Sequence, residues 1–152
     1  MKPTLSDFEV YLLSIKVPIR LACISPTGPI AISLWYQYAD GKIYCSTQQS
    51  ARVAKYLAVN PQCGFEIAAD TQPYCGIRGQ AVASLDQGLG VSILKQTSQR
   101  YLGGLDNPLA EKLLASGDTE IAIVLDPVSI FSWDFSDRMI GRIFPAMEKI
   151  YP

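Results

Sequence analysis

The chain has 152 residues, 49% of them hydrophobic and 18% charged, with a formal net charge of -1. This balance suits one globular domain with a real core, excludes a disordered chain, and offers no basic field for nucleic acid or an anionic membrane. There is no histidine, which removes Ser-His-Asp and Cys-His triads, histidine-ligated zinc, and haem held by a proximal histidine.

In chain order, Ser6-Asp7-Phe8-Glu9 has the spacing of a capping box and predicts a short helix to about Ile15, stopped by Val17-Pro18. Ile19–Ser25 reads as a strand, ended by the turn residues Pro26-Thr27-Gly28-Pro29. Ile30–Tyr38 alternates, with Ile32, Leu34 and Tyr36 on one face and Ser33, Trp35 and Gln37 on the other. Asp40-Gly41 signals a tight hairpin, with Lys42–Thr47 as the returning strand. Ser50–Val59 suits a helix closed by Asn60-Pro61. Gln62–Ala69 and Cys75–Leu85 read as strands around Asp70-Thr71-Gln72-Pro73. From Asp86 to Ser116 the pattern is helical, broken at Gly103-Gly104 and near Asn107-Pro108. Two last strands, Thr119–Leu125 and Ser129–Phe135, flank Asp126-Pro127, and the tail after Arg138 has no clear pattern.

Six or seven strands joined mostly by hairpins imply a mainly β protein, an antiparallel sheet closed as a barrel with helices packed outside. Cys23, Cys45, Cys63 and Cys75 form no CxxC pair, so no metal site is expected and the thiols read as small buried apolar groups. Apolar runs such as Ile121–Leu125 are too short to span a bilayer, and the start lacks the basic stretch of a signal peptide. A cytoplasmic protein of one domain, residues 1–152, is the expectation. Gly103-Gly104 lacks a dinucleotide-binding context and reads as a loop, while Asp134, Asp137 and Arg138 read as a solvated turn.

The most informative stretch runs from Ala31 to Asn60-Pro61: strand, hairpin, strand ending in Ser46-Thr47, then a helix opened by Ser50-Ala51-Arg52. Two hydroxyls at a strand end and an arginine in a first helical turn meet where backbone N–H groups are unpaired and the dipole is positive, which suits a phosphate. Arg52 can hold two phosphate oxygens at once, whereas Lys55 acts as a point charge. A helix carrying solvated cations fits the same residues.

The segments RLACISPTGPIAISLWYQY, DGKIYCST, ARVAKYLAVNP, GIRGQAVASL and VSIFSWDFSDRM, in this order and spacing, resemble the flavin-binding split β-barrel family named for pyridoxamine 5'-phosphate oxidase. The resemblance implies a homodimer with FMN in a groove between subunits. It implies an isoalloxazine ring along Ile32, Ser33, Leu34, Trp35 and Tyr36, held by backbone groups, and a phosphate on Ser46, Thr47 and Arg52, with Lys55 as a weaker contact. From the partner subunit it implies contacts by Tyr74 and Trp133.

Departures from the family's pattern are specific. The basic residues that end the flavin strand in the oxidases are here Ala31 and Tyr36, and the basic residue after the helix arginine is Val53. The Arg-x-His that grips pyridoxal phosphate is missing, since the chain has no histidine. The implied activity is therefore that of an FMN-dependent oxidoreductase or flavin reductase acting on a nicotinamide donor or small organic substrate. A reductase using the deazaflavin coenzyme F-420, or a non-catalytic flavin-sequestering protein, stands as the alternative.

Overall fold

The computed structural model describes residues 7–143, with side chains from residue 9 to residue 139. The capping hydroxyl expected of Ser6 lies outside this range. The elements are α1 (Asp7–Ser14), β1 (Ile19–Ser25), β2 (Gly28–Leu34), β3 (Tyr36–Ala39), β4 (Lys42–Gln48) and α2 (Arg52–Val59). They continue with β5 (Gln62–Ala68), β6 (Cys75–Asp86), α3 (Gly90–Leu102), α4 (Pro108–Ala115), β7 (Glu120–Asp134) and α5 (Ser136–Ile143).

Turn chemistry sets both tight hairpins. Gly28 takes φ 127° after Pro26-Thr27, and the Ser25 hydroxyl donates to its carbonyl at 2.7 Å. Asp40 and Gly41 both sit at positive φ, 50° and 78°, the backbone of a turn whose twist matches its strands. In α2 the buried Val53, Ala54 and Leu57 share one face, as the 3.6-residue period requires. Asn107 caps α4 by accepting from the Ala110 N–H at 2.9 Å.

The seven strands form one antiparallel sheet in the order β2-β1-β5-β6-β7-β4-β3. Strands β2 and β3 are the two ends of that order, yet only Trp35 separates them in sequence. The sheet therefore rolls until its ends meet at one residue, which is how a split barrel closes. The stretch Ile30–Tyr38, read from alternation as one strand, is two: the side-chain alternation continues while the pairing partner changes from β1 to β4.

Strand β7 departs the other way. Asp126-Pro127 does not divide it, because a register shift opposite Gln80/Ala81 takes up one residue, and proline is tolerated at such a bulge. Its first half pairs with both β4 and β6, its second half with β6 alone. The tail that lacked a pattern begins with α5, and residues 144–152 lie outside the described range.

Inside the barrel pack Leu21, Tyr36, Ile43, Phe65, Ile67, Ile77, Ile123 and Leu125. Cys23, Cys45 and Cys63 join them as free thiols, and burial pushes Cys63 up to about 11. Cys75 is half-buried and also unpaired.

One polar cluster secures the closure. A strand that changes partner at a single residue strands a backbone N–H, and here the Tyr36 N–H donates to the Tyr101 hydroxyl at 3.4 Å. That hydroxyl donates in turn to the Val17 carbonyl at 2.8 Å. The Tyr101 ring stacks on Trp35 at 5.2 Å. Beside it, Arg100 donates to the α1-terminal carbonyls of Leu12 at 3.1 Å and Leu13 at 2.9 Å, with its guanidinium 5.1 Å from the Tyr36 ring centre. Such a cation complements the negative end of a helix.

Tyr101→Phe removes one acceptor and one donor together and leaves the Tyr36 N–H unpaired. The expected loss is about 1–3 kcal/mol, seen in denaturant unfolding as a lower midpoint with an unchanged slope. A midpoint equal to wild type contradicts this role.

Candidate functional site

Beside the Trp35 corner lies a cavity of about 510 Å3. Its rim on the barrel side is Pro18, Ser33, Leu34 and Trp35, and its floor is Ser46 from β4 and Glu120 from the start of β7. Leu94 and Thr97 of α3, with Leu109 and Leu113 of α4, form the opposite wall. Strand β2 ends the sheet, so one edge of its backbone is unpaired among the described residues. Unpaired edge N–H and C=O groups are free to hydrogen-bond an incoming partner.

Glu120 is the unexpected feature of this cavity. It is only 7% exposed, and its Oε1 accepts from Gln48 Nε2 at 2.5 Å. Gln48 is held in turn by the Thr119 hydroxyl, which donates to its Oε1. Burial raises the Glu120 carboxyl above the ordinary glutamate value, although hydrogen bonds from Gln48 and Ser46 pull the other way. In the sequence this residue is one polar position ahead of an apolar run. Its burial follows from the pairing of Glu120 with Gln48, 72 positions apart, which no local pattern encodes.

The residues singled out from the sequence are not all brought together. Ser33, Leu34, Trp35 and Ser46 line the one cavity. Ser33 also accepts from Arg20 at 2.9 Å. Ile32 packs against the core. The Tyr36 side chain is fully buried and donates to the Leu12 carbonyl at 2.8 Å, so of that residue only the backbone stays near the corner. Ser46 and Thr47 are neighbours on a strand and project to opposite faces.

Arg52 opens α2, and both it and Lys55 are exposed, with no ion pair among the described residues. The helix N-cap is Ala51, which has no side-chain acceptor, and no acid sits in the first turn. The positive end of α2 thus remains open to an anion. Tyr74 and Trp133 lie elsewhere in the chain, Tyr74 with its N–H on Met139 Sδ at 3.3 Å. Trp133 lies 4.9 Å from the Arg78 guanidinium, pairs with Gly76 across β6 and β7, and lines a separate cavity of about 540 Å3 with Tyr11 and Cys75.

A second feature is the outer face of the sheet. Ile24, Val82, Val128 and Phe131 are 47, 44, 68 and 62% exposed. They surround two shallow hollows of about 520 and 490 Å3 floored by Ala22 and Gly64. Among the described residues no group of three or more histidine, cysteine or acidic side chains is placed to hold a metal. No described helix is long and apolar enough to cross a membrane.

No family model and no curated protein sequence matches the chain. Solved structures do resemble it. An F-420 reductase superposes with a TM-score of 0.69 at 17% identity, covering 84% of this chain and 98% of its own. A conserved hypothetical protein of Mycobacterium tuberculosis gives 0.72 at 22%, covering 95% and 92%. A Listeria innocua protein assigned as a pyridoxamine 5'-phosphate oxidase gives 0.62 at 17%, covering 81% and 93%. At these identities the likeness is one of fold: the chain has the split β-barrel of pyridoxamine-phosphate-oxidase-like proteins.

The raised Glu120 carboxyl has a consequence for stability. A raised folded-state value means the folded chain binds this proton more tightly than the unfolded chain. The stabilisation is complete below the ordinary glutamate value and is lost as the pH rises through the raised one. Relative to wild type, Glu120→Gln should therefore gain stability as the pH rises above the ordinary glutamate value. Denaturant unfolding of both proteins checks this, and a difference that is flat with pH or moves the other way contradicts it.

Proposed function

We propose that the chain is an FMN-binding flavoprotein that works as a homodimer in the cytoplasm, as an oxidoreductase or flavin reductase on a nicotinamide donor or small organic substrate. The observation that carries this reading is that four residues chosen from sequence for a flavin, Ser33, Leu34, Trp35 and Ser46, line one cavity beside an edge strand. The isoalloxazine ring lies along β2 and uses its unpaired backbone edge. The phosphate lies at the uncapped start of α2, with Thr47 and Arg52 as its main contacts and Lys55 as added charge. Bound flavin would supply the hydride and electron chemistry, while the barrel contributes binding, orientation and exclusion of water.

The exposed apolar outer face supports the dimer. Ile24, Val82, Val128 and Phe131 around hollows floored by small residues suit a self-complementary partner surface. In this arrangement the partner subunit's Tyr74 and the partner subunit's Trp133 reach the groove. The deazaflavin coenzyme F-420 is the second reading, favoured by an F-420 reductase 98% of whose length superposes on this chain. Competition between FMN and F-420 for the protein separates the two. Ala31, Tyr36 and Val53 in place of basic residues, and the absence of histidine, set the activity apart from pyridoxamine-phosphate oxidation.

Arg52→Ala should weaken FMN binding by about 1.5–3 kcal/mol, the scale of a hydrogen bond to a charged group, measured by isothermal titration. An unchanged dissociation constant removes Arg52 from the phosphate site. In sedimentation the wild-type chain should be a dimer at micromolar concentration, and a monomer there contradicts the shared groove.

A further inference from the structure

We infer that Cys23 and Cys63 form a paired-thiol site, closed by mild oxidation into a disulfide that ties β1 to β5 and opened again by reduction. Strands β1 and β5 pair in the register Arg20↔Glu66, Leu21↔Phe65 and Ala22↔Gly64. One residue further on, that register sets Cys23 opposite Cys63. Both side chains point into the barrel on the same side as Leu21 and Phe65, at 1 and 7% exposure. The ladder stops at this point, because the Gln62 N–H turns back to Asn60 Oδ1 at 3.1 Å. The other two thiols have no such partner: Cys45 stands opposite Tyr36 and Ile123, and Cys75 opposite Asp134.

Directly opposed residues hold their Cβ atoms about 4.5–5.5 Å apart, and a disulfide needs about 3.5–4.5 Å. The difference is small, and at the end of a ladder two strands can close it without breaking a rung. A bond made under that adjustment is strained and easily reduced. The hollow of about 520 Å3 over Ala22 and Gly64 has both cysteines in its lining, which gives a small oxidant such as hydrogen peroxide an approach. One thiolate attacks a peroxide oxygen, the O–O bond breaks, and a sulfenic acid and a water result. The second thiolate attacks that sulfur, the S–S bond forms, and the hydroxyl leaves as water. Two thiols and one peroxide thus give one disulfide and two waters, which carry off the thiol protons. The position matters because β2 joins the sheet through β1 alone, and β1 meets β5 over the short stretch Arg20–Ala22. A covalent rung there braces the hairpin that frames the groove.

Peptide mapping of the wild-type chain after one equivalent of hydrogen peroxide tests this. Burial raises both thiols above the ordinary cysteine value, so the reaction is run at mildly alkaline pH. The hollow lies on the face assigned to a partner subunit, so it is also run on protein diluted below the dimer range. The expected product is a Cys23–Cys63 linked peptide, about 2 Da lighter than its two free-thiol parts, lost again on adding dithiothreitol. The oxidised protein should unfold at a higher urea concentration than the reduced one, and peroxide should leave the midpoint of Cys63→Ala unshifted. Four free thiols after peroxide at both concentrations, or a link made through Cys45 or Cys75 instead, overturns the inference. A Cys23–Cys63 link that leaves the urea midpoint unchanged overturns the bracing role. The wild-type map and midpoint need no variant, so a misfolded Cys63→Ala protein leaves the test decisive.

Discussion

Barrel closure in this chain depends on the hydrogen bond between the Tyr36 N–H and the Tyr101 hydroxyl. A strand that leaves one end of a sheet and joins the other within one residue has no ladder partner at the corner. An unpaired buried N–H costs as much as a lost hydrogen bond. By accepting that N–H and donating to the Val17 carbonyl, Tyr101 ties α3 to the corner and to the segment entering β1. The stacked Trp35 ring and the Arg100 contacts to the end of α1 extend the same anchor. With α3 fixed there, Leu94 and Thr97 face the corner, and the cavity is the space left between helix and barrel.

Charge is distributed unevenly over the molecule. In the cavity beside the corner a carboxyl is nearly buried and held by an amide that is itself held by a hydroxyl. The uncapped start of α2 carries an exposed arginine and lysine with no acid in the first turn. Elsewhere the ion pairs, such as Arg78 with Glu66 at 3.6 Å on the outer face, are solvent-exposed and contribute little to stability.

Local chemistry made much of this legible in the sequence. Asp40-Gly41, Pro26-Thr27 and Asn107-Pro108 act through their own backbone preferences, and the structure uses each as a turn or cap. The corner was hidden because side-chain alternation runs unbroken through Trp35 while the hydrogen-bond partner changes. Asp126-Pro127 misled in the opposite sense, since a bulge absorbs a residue that local propensity treats as a break. Four groove residues were visible as a strand–hairpin–strand pattern, but Glu120 was not. Its burial is a property of long-range register and of helices that arrive from elsewhere in the chain. Likewise, that Ser46 and Thr47 face apart follows from strand geometry once the strand is assigned, and only one of them meets the acid.

The central claim is that a flavin ring lies against Trp35. The chain has two tryptophans, so Trp133→Phe, which keeps an aromatic ring at the contact proposed for the partner's flavin, leaves Trp35 as the sole tryptophan reporter. Titration of that variant with FMN should quench the Trp35 emission saturably, reaching its limit at one flavin per chain. Emission that is unchanged at saturating flavin, with inner-filter absorption corrected, would place the ring elsewhere and contradict the account.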